Sequence, residues 1–384
     1  MMRDVMQEKT KLVSAISYVA PNYIRGSNLL NALQKNSSIN VYQANNTNPG
    51  WLRYFQTFLK LLKIKKNVNP QIWLLNFRGH EIYWLVRMLS GRKNRIIFDE
   101  FVSPYDSFVN ERRTLKKGSW LAKLVYALEK SILKDADFII TDTPSQANYF
   151  TGLFDVPGDK FSTINMSTDE NLFTVNGPRK KYAFPEAFVV FTYATFLPLH
   201  GVDIILEAAN LLKDLPIHFY IAGGKGKTLQ AFLDKNKMLG LDKFDHTPWI
   251  AYTDLPAYIR GADICLGGPF GNTGQGLRVI TGKALQFLAC ARPTVIGRGY
   301  EAAGFEDHQN CLLVPQGDPR QLADALRWAF ENQSELPGIA VKGRALYDEK
   351  FSAAAVSSSV DRLIKNVQHS LDSRTQSIPE GGLI

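Results

Sequence analysis

The sequence has 384 residues, 45% of them hydrophobic and 21% charged, a globular balance in a chain too long for one typical domain and suited to two. Its net charge of +9 favours an anionic partner, and the absence of the usual nucleic-acid recognition motifs leaves nucleotide diphosphates and anionic lipid heads. No stretch reaches the roughly 18 to 20 apolar residues of a membrane span, and the charged segment Met1 to Lys11 lacks the apolar core of a secretory signal. Cys265, Cys290 and Cys311 have no metal-type spacing and read as reduced core residues. The expected location is the cytoplasm or the cytoplasmic face of a membrane.

In chain order, strands are expected at Leu12 to Tyr18, Ile72 to Asn76, Ile96 to Phe98, Phe138 to Thr141 and Phe161 to Asn165. Between them, helical periodicity covers Ser27 to Gln34, Leu52 to Ile64, Ile82 to Leu89, Ser119 to Leu133 and Ser145 to Leu153. Such alternation predicts a parallel sheet covered by helices. The segment TVNGPRKKYAFP, Thr174 to Pro185, has linker composition. The pattern then restarts, with strands at Phe188 to Tyr193, Ile217 to Ala222, Asp245 to Trp249, Ile264 to Leu266, Thr294 to Ile296 and Cys311 to Val314. Helices are expected at Gly201 to Leu212, Leu229 to Leu239, Leu255 to Gly261, Lys283 to Cys290, Pro319 to Glu331 and Ala353 to Val367. The division is therefore a first domain over 1–175, a linker over 176–186, a second domain over 187–345, a C-terminal helix within 346–367 and a tail without order over 368–384.

Three features of the first half point to chemistry. Trp51 to Lys66 places Arg53, Lys60, Lys63, Lys65 and Lys66 among bulky apolar residues, the composition of a helix lying on an anionic membrane. A second basic stretch runs from Glu111 to Lys134. The expected strand Ile96 to Phe98 is followed by Asp99, Glu100 and Asp106, and carboxylates at a strand's carboxyl end can act as general base or as hydrogen-bond acceptors for a substrate. Asp99 is the first candidate and Asp106 the second, and His80 and Gly26, on other strand-to-helix loops, are candidates to line the same site.

The second half carries a more specific signal. From Gly267 to Gly282 the chain is rich in glycine, follows a strand and opens a helix, so its backbone can approach an anion closely. Arg278 and Lys283 flank that helix start, where a cation opposes the macrodipole unless a phosphate lies between them. No Asp-x-Asp between strand and loop is present, so no metal is expected at this site.

The order of Ala262-Asp263, the run Leu288 to Val295 and the run Cys311 to Pro319 resembles the donor-binding region of family-4 glycosyltransferases. Thr195 to Asp203, Ile221 to Gly224 and Trp249-Ile250 match further pieces in the same order. The resemblance implies an α/β fold of the GT-B type, two Rossmann-like parallel-sheet domains facing across a cleft, with the final helix returning to the first domain. It also implies donor contacts at Thr195, His200, Gly201, Gly223, Gly224, Lys225, Trp249, Ile250, Gly274, Gly276 and Gln286. Two departures mark a variant subgroup: the usual Glu-x7-Glu pair is replaced by Arg278 and Gln286, and the Arg and Lys of the first loop by Thr195 and His200. The implied activity is metal-independent glycosyl transfer, with retention, from a nucleotide-diphosphate sugar as co-substrate and with no further cofactor, to a lipid-linked or cell-envelope glycan. The alternative is a catalytically silent GT-B protein that binds a nucleotide sugar or a protein partner. A dinucleotide oxidoreductase is set aside because neither half shows Gly-x-Gly-x-x-Gly after its first strand.

Overall fold

The structure, a computed structural model, describes residues 9–15, 23–46, 50–184, 186–299 and 303–376. The expected strand residues Ile16 to Tyr18 and the tail from Ser377 lie outside the described residues. The chain divides into two units: residues 1–109, 113–166 and 353–384 form one, and 110–112 with 167–352 form the other.

In the first unit, β1 (Thr10–Ala15), α1 (Ile24–Lys35), β2 (Ile39–Ala44), α2 (Leu52–Val68), β3 (Ile72–Leu75), α3 (Tyr83–Ser90), β4 (Arg95–Asp99), α4 (Trp120–Asp135), β5 (Phe138–Thr141), α5 (Pro144–Phe154) and β6 (Phe161–Thr163) follow one another. All strand pairs are parallel, in the order β2-β1-β3-β4-β5-β6. Side chains alternate between the two faces, as strand geometry requires. Trp73, Leu75, Ile96 and Phe98 pack with Leu61, Val86, Leu133 and Phe150 from α2, α3, α4 and α5. Leu12, Ile72, Leu74 and Ile97 point the other way, onto Leu29 and Leu33 of α1. Sandwiching of this kind explains why β3 and β4 are apolar along nearly their whole length.

The second unit contains β7 (Phe188–Ala194), α6 (Val202–Leu211), β8 (Ile217–Gly223), α7 (Gly226–Leu239), β9 (Phe244–Thr247), α8 (Leu255–Gly261), β10 (Ile264–Gly268), α9 (Gly282–Ala289), β11 (Thr294–Gly297), β12 (Leu312–Val314), α10 (Pro319–Glu331) and α11 (Leu336–Lys350). Its six parallel strands are ordered β12-β11-β10-β7-β8-β9. A last helix, α12 (Ala353–Gln376), belongs to the first unit, where Val360, Ile364 and Val367 complete the core beside α1. Asn36 donates to Asp361 at 2.6 Å and Arg95 Nε to Ser370 Oγ at 2.7 Å, which fixes the docking of α12 on that unit.

Both sheets reverse their direction of growth beside their first strand, between β1 and β3 and between β7 and β10. The connecting loops diverge there and leave a crevice at the carboxyl ends of the strands.

The structure departs from the sequence reading in four places. Strand β2 was not expected; it is an edge strand with only its end residues buried, so it lacks an apolar run. Helix α11 was not expected either; its sequence contains Pro337, Gly338 and Gly343. Pro337 occupies its permissive first turn, and Gly343 allows the helix to approach the Asn310 carbonyl. The unit boundary falls at 166/167 rather than near 175, since 174–182 packs on the second unit: Arg260 donates to the Thr174 and Pro178 carbonyls, both at 3.0 Å, and Tyr182 to the Tyr258 carbonyl at 2.8 Å. Finally, α12 continues to Gln376, through part of the segment expected to lack order.

A Cβ at Gly343 would stand 2.6 Å from the Asn310 oxygen and 2.9 Å from Leu288 Cδ2. Gly343→Ala is therefore expected to lower stability by about 1–3 kcal/mol despite its better helix propensity, as read by urea unfolding. An unchanged or raised midpoint would mean that α11 has room to shift.

Candidate active site

Three loops of the second unit meet at the switch point between β7 and β10, and glycines permit it. Gly223, at the end of β8, has φ of +107°, and a Cβ there would lie 2.0 Å from the Ala194 oxygen. Gly224 N–H donates to that same carbonyl at 3.0 Å. Gly201 has φ of +59° and would bring a Cβ within 2.4 Å of the Gly271 nitrogen, while Gly271 N–H donates to the Leu199 carbonyl at 3.0 Å. The backbones after β7, β8 and β10 are thus in direct contact, which side chains at these positions would prevent.

Helix α9 opens on this junction. Thr281 caps it by accepting from Ala284 N–H, and Lys283 is its second residue. The Lys283 side chain turns inward and is only 6% exposed. Its Nζ donates to Thr192 Oγ1 on β7 at 3.3 Å, and among the described residues no carboxylate forms an ion pair with it. Burial pushes its ammonium down to about 7. His200 is half-buried beside it. His200 Nδ1 accepts from Leu197 N–H at 3.1 Å, which places the imidazole proton on Nε2. Burial, and then the neighbouring Lys283, push its imidazolium down to about 3, so it is a neutral donor at physiological pH. An amine poised to charge, a single imidazole N–H and the positive end of a helix converge here, and this arrangement suits an anion.

The other expected donor residues are distributed around that centre. Arg278 is partly exposed on the β10–α9 loop, and Gly274 leaves room for its guanidinium: a Cβ there would lie 3.1 Å from Nη1. Gly276 shapes the same loop, donating to Thr273 Oγ1 at 3.1 Å and accepting from Gln316 Nε2 at 3.0 Å. Gln286, one turn after Lys283, is buried, and its Oε1 accepts the Tyr193 hydroxyl. Lys225 and Thr195 are exposed. Trp249 is 78% exposed while Ile250 is turned inward at 9%, so the two do not act as a pair.

In the first unit the carboxylates are not open bases. Asp99 is 1% exposed and holds a buried ion pair with Arg25, Nη2 to Oδ1 at 2.9 Å and Nε to both oxygens at 3.3 Å. Arg25 also donates to the Ile164 carbonyl. Asp106 is buried too, and accepts the Tyr149 hydroxyl at 2.9 Å. Both are corrected from candidate bases to structural acceptors, because their lone pairs are already engaged away from solvent. Gly26 is buried in the first turn of α1. His80 donates to or accepts from Glu100 at 2.8 Å, and Glu129 of α4 lies in the same cluster. The sequence reading did not single out Thr192, Tyr193, Arg25 or Glu129. Only Thr192 and Tyr193 carried a signal: they are polar residues at the carboxyl end of a buried strand.

The Lys283 geometry sets a pH dependence. The unfolded chain keeps the lysine proton up to its ordinary value of 10.5, whereas the folded chain releases it near 7. Between those values the unfolded state binds more protons, so this group makes stability rise with pH. Lys283→Met is expected to be more stable than the wild type near neutrality by a few kcal/mol, and the gap should narrow as pH rises towards 10. Urea unfolding of both proteins across that range checks the slope; a gap constant with pH would show that Lys283 stays charged in the folded state.

Residues 187–332 match the family described as Glycosyl transferases group 1. The D-inositol 3-phosphate glycosyltransferase of Saccharomonospora viridis is 28% identical over 241 residues, covering 58% of this chain and 54% of that protein. The enzyme of the same name from Mycolicibacterium gilvum is 24% identical over 267 residues, covering 65% and 58%. The chain thus spans little more than half the length of these curated relatives. Among solved structures, Anabaena HepE in complex with UDP-glucose superposes with a TM-score of 0.67 at 12% identity, covering 93% of this chain and 99% of that one. Sucrose-phosphate synthase from Thermosynechococcus elongatus gives 0.68 at 14% identity, covering 94% and 100%. The structural likeness establishes a fold of the GT-B type, and the family match places a group 1 glycosyltransferase domain on residues 187–332, which carry the second sheet.

Proposed function

We propose that the protein transfers a sugar from a nucleotide-diphosphate donor to a lipid-linked or cell-envelope glycan, with retention of configuration. The observation that carries this reading is Lys283: an amine buried at a helix start, with no counter-ion among the described residues and a neutral imidazole beside it. A diphosphate lying there would accept from Lys283 Nζ, His200 Nε2 and the first N–H groups of α9, and its charge would draw a proton onto the lysine. Arg278 would meet it from the loop. Each contact strengthens as the leaving diphosphate gains charge, and fixed donors in a partly dry site are the largest known source of such stabilisation. HepE, whose structures hold UDP-glucose and UDP, supports a nucleoside diphosphate as the shared donor element.

A membrane-bound acceptor is supported by the first unit. Helices α2, α3 and α4 cover one face of its sheet. Their exposed sides carry Trp51, Phe55 and Leu59, then Trp84 and Met88, then Trp120 and Leu124. Of the cations expected to face lipid, Lys60 and Lys65 instead donate to the Asn45 and Leu89 carbonyls. Lys63 and Lys66, with Lys116, Lys117 and Lys123, are the exposed ones. Large apolar side chains interleaved with free cations suit an anionic bilayer.

Calorimetry with UDP near pH 8, in buffers of different ionisation heat, is expected to show uptake of nearly one proton by the wild type and none by Lys283→Met, which should bind at least tenfold more weakly. Arg278→Ala is expected to cost turnover more than binding, about a hundredfold or roughly 3 kcal/mol, as read by release of nucleotide from the sugar donor. Loss of binding without any turnover in the wild type, across a panel of donors and acceptors, would favour the silent binder. Unchanged affinity in both variants would remove the diphosphate from this loop. Separately, the protein should sediment with phosphatidylglycerol vesicles, and Trp51→Ser with Lys63→Glu and Lys66→Glu should abolish this. A wild type that stays in the supernatant at low salt would overturn the membrane reading.

A further inference from the structure

Three side chains in the first unit, outside the donor site proposed above, converge. His80 lies on the short turn Gly79–Ile82 after β3, Glu100 directly follows β4, and Glu129 projects from the middle of α4. One donor atom from each lies within 4.8 Å of the other two. Glu100 and Glu129 are 0% and 2% exposed, and each leaves one carboxyl oxygen, Oε1, buried with no hydrogen-bond partner. Neither carboxylate has a lysine or arginine partner among the described residues. Their only titratable companion of opposite type is His80, whose imidazole burial keeps neutral. Two buried carboxyl groups, two orphaned oxygens and one imidazole thus share a site in which, among the described residues, no lysine or arginine pairs with either carboxylate. Such a site stays folded either by keeping protons on its carboxyl groups or by holding a cation.

We propose that this cluster is a structural binding site for a divalent transition ion, zinc first, with His80, Glu100 and Glu129 as protein ligands. One dication balances two carboxylates and a neutral imidazole. Mixed nitrogen and oxygen donors favour zinc or manganese, whereas magnesium retains several waters and prefers carboxylate and phosphate oxygens alone. A tetrahedral zinc ion with bonds of about 2.0–2.2 Å holds its donors roughly 3.3–3.6 Å apart, so small movements from the present spacing suffice. His80 Nε2 and Glu100 Oε2 already stand 2.8 Å apart. The supporting shell is built: the Phe98 ring meets the His80 ring edge-on at 4.8 Å, and Tyr105 N–H donates to Glu129 Oε2 at 2.8 Å. The His80 side chain is 14% exposed and gives an ion its way in. Bound there, the ion would tie the β3 turn, the end of β4 and α4 together. It takes no part in donor chemistry.

The test uses the full-length protein with no affinity tag. After incubation with zinc and exhaustive dialysis, mass spectrometry of the metal should find about one equivalent, cobalt substitution should give a visible d–d absorption band, and a chelator should lower the melting temperature until zinc is restored. Glu129→Gln and His80→Asn, which keep shape and polarity, should each lose the stoichiometric metal while remaining folded by circular dichroism. Should they fail to fold, the wild-type stoichiometry and cobalt spectrum still decide. Wild-type protein that retains under about a tenth of an equivalent and melts unchanged with chelator would overturn the proposal, and the carboxyl groups would then be holding protons. Metal retained in full by both variants would overturn it equally.

Discussion

Burial of the Lys283 ammonium without a carboxylate partner is the constraint around which the second unit is arranged. A lysine in this position destabilises the free protein, because its charge has lost water and gained only the Thr192 hydroxyl at 3.3 Å. The fold nevertheless holds it there. The residue is the second of α9, one turn before Gln286, and seven of that helix's eight residues are buried. The β10–α9 loop in turn is fixed by backbone contact with the loop after β7, which requires glycine at both 201 and 271. An anion bound there, as proposed, would restore what burial removed.

The first unit shows the opposite solution. Arg25 is 1% exposed, yet its guanidinium is matched by the Asp99 carboxylate and the Ile164 carbonyl. Neighbouring Asp142 is pushed up to about 6 by burial, with Arg25 pulling the other way. Charges balanced in this manner specify a packing arrangement and leave nothing over for a ligand. The same residue types therefore carry different meanings in the two halves, and the presence of a partner separates them.

Much of the architecture was legible because both sheets are covered on two faces. Strands such as β3, β4, β7 and β10 are short apolar runs bounded by glycine or polar residues, and helices between them keep their period. What escaped notice lay where that rule weakens: the solvent-facing edge strand β2, and α11, whose Gly343 serves close packing rather than helix termination. In the candidate site, Lys283 and Arg278 were legible from local context, a glycine-rich approach to a helix. Asp99 was misread because its partner Arg25 lies 74 residues away and only the fold brings them together. Glu129 gave no signal for a similar reason: within a sequence of amphipathic spacing, nothing distinguishes a buried helix acid from a solvated one.

Set against the Glu-x7-Glu pattern of the family that the sequence resembles, Arg278 and Gln286 gain a physical meaning from this geometry. A glutamate at position 286 would be buried three residues from Lys283 on the same helix, close enough to pair with it. The ammonium would then keep its charge in the free protein, and an incoming diphosphate would compete with an internal carboxylate. With Gln286 the oxygen is neutral and is taken by the Tyr193 hydroxyl, whose own ionisation burial pushes upward, so neither residue places a negative charge beside the lysine. Arg278 in place of the other glutamate changes the local balance in the same direction. His200, where the family pattern has a lysine, works against it: it contributes a hydrogen bond without a charge, and so keeps a second ammonium from repelling Lys283. The departures from that pattern at 200, 278 and 286 thus bear on one buried amine, and an anion bound there, as proposed, would meet no carboxylate paired with it among the described residues.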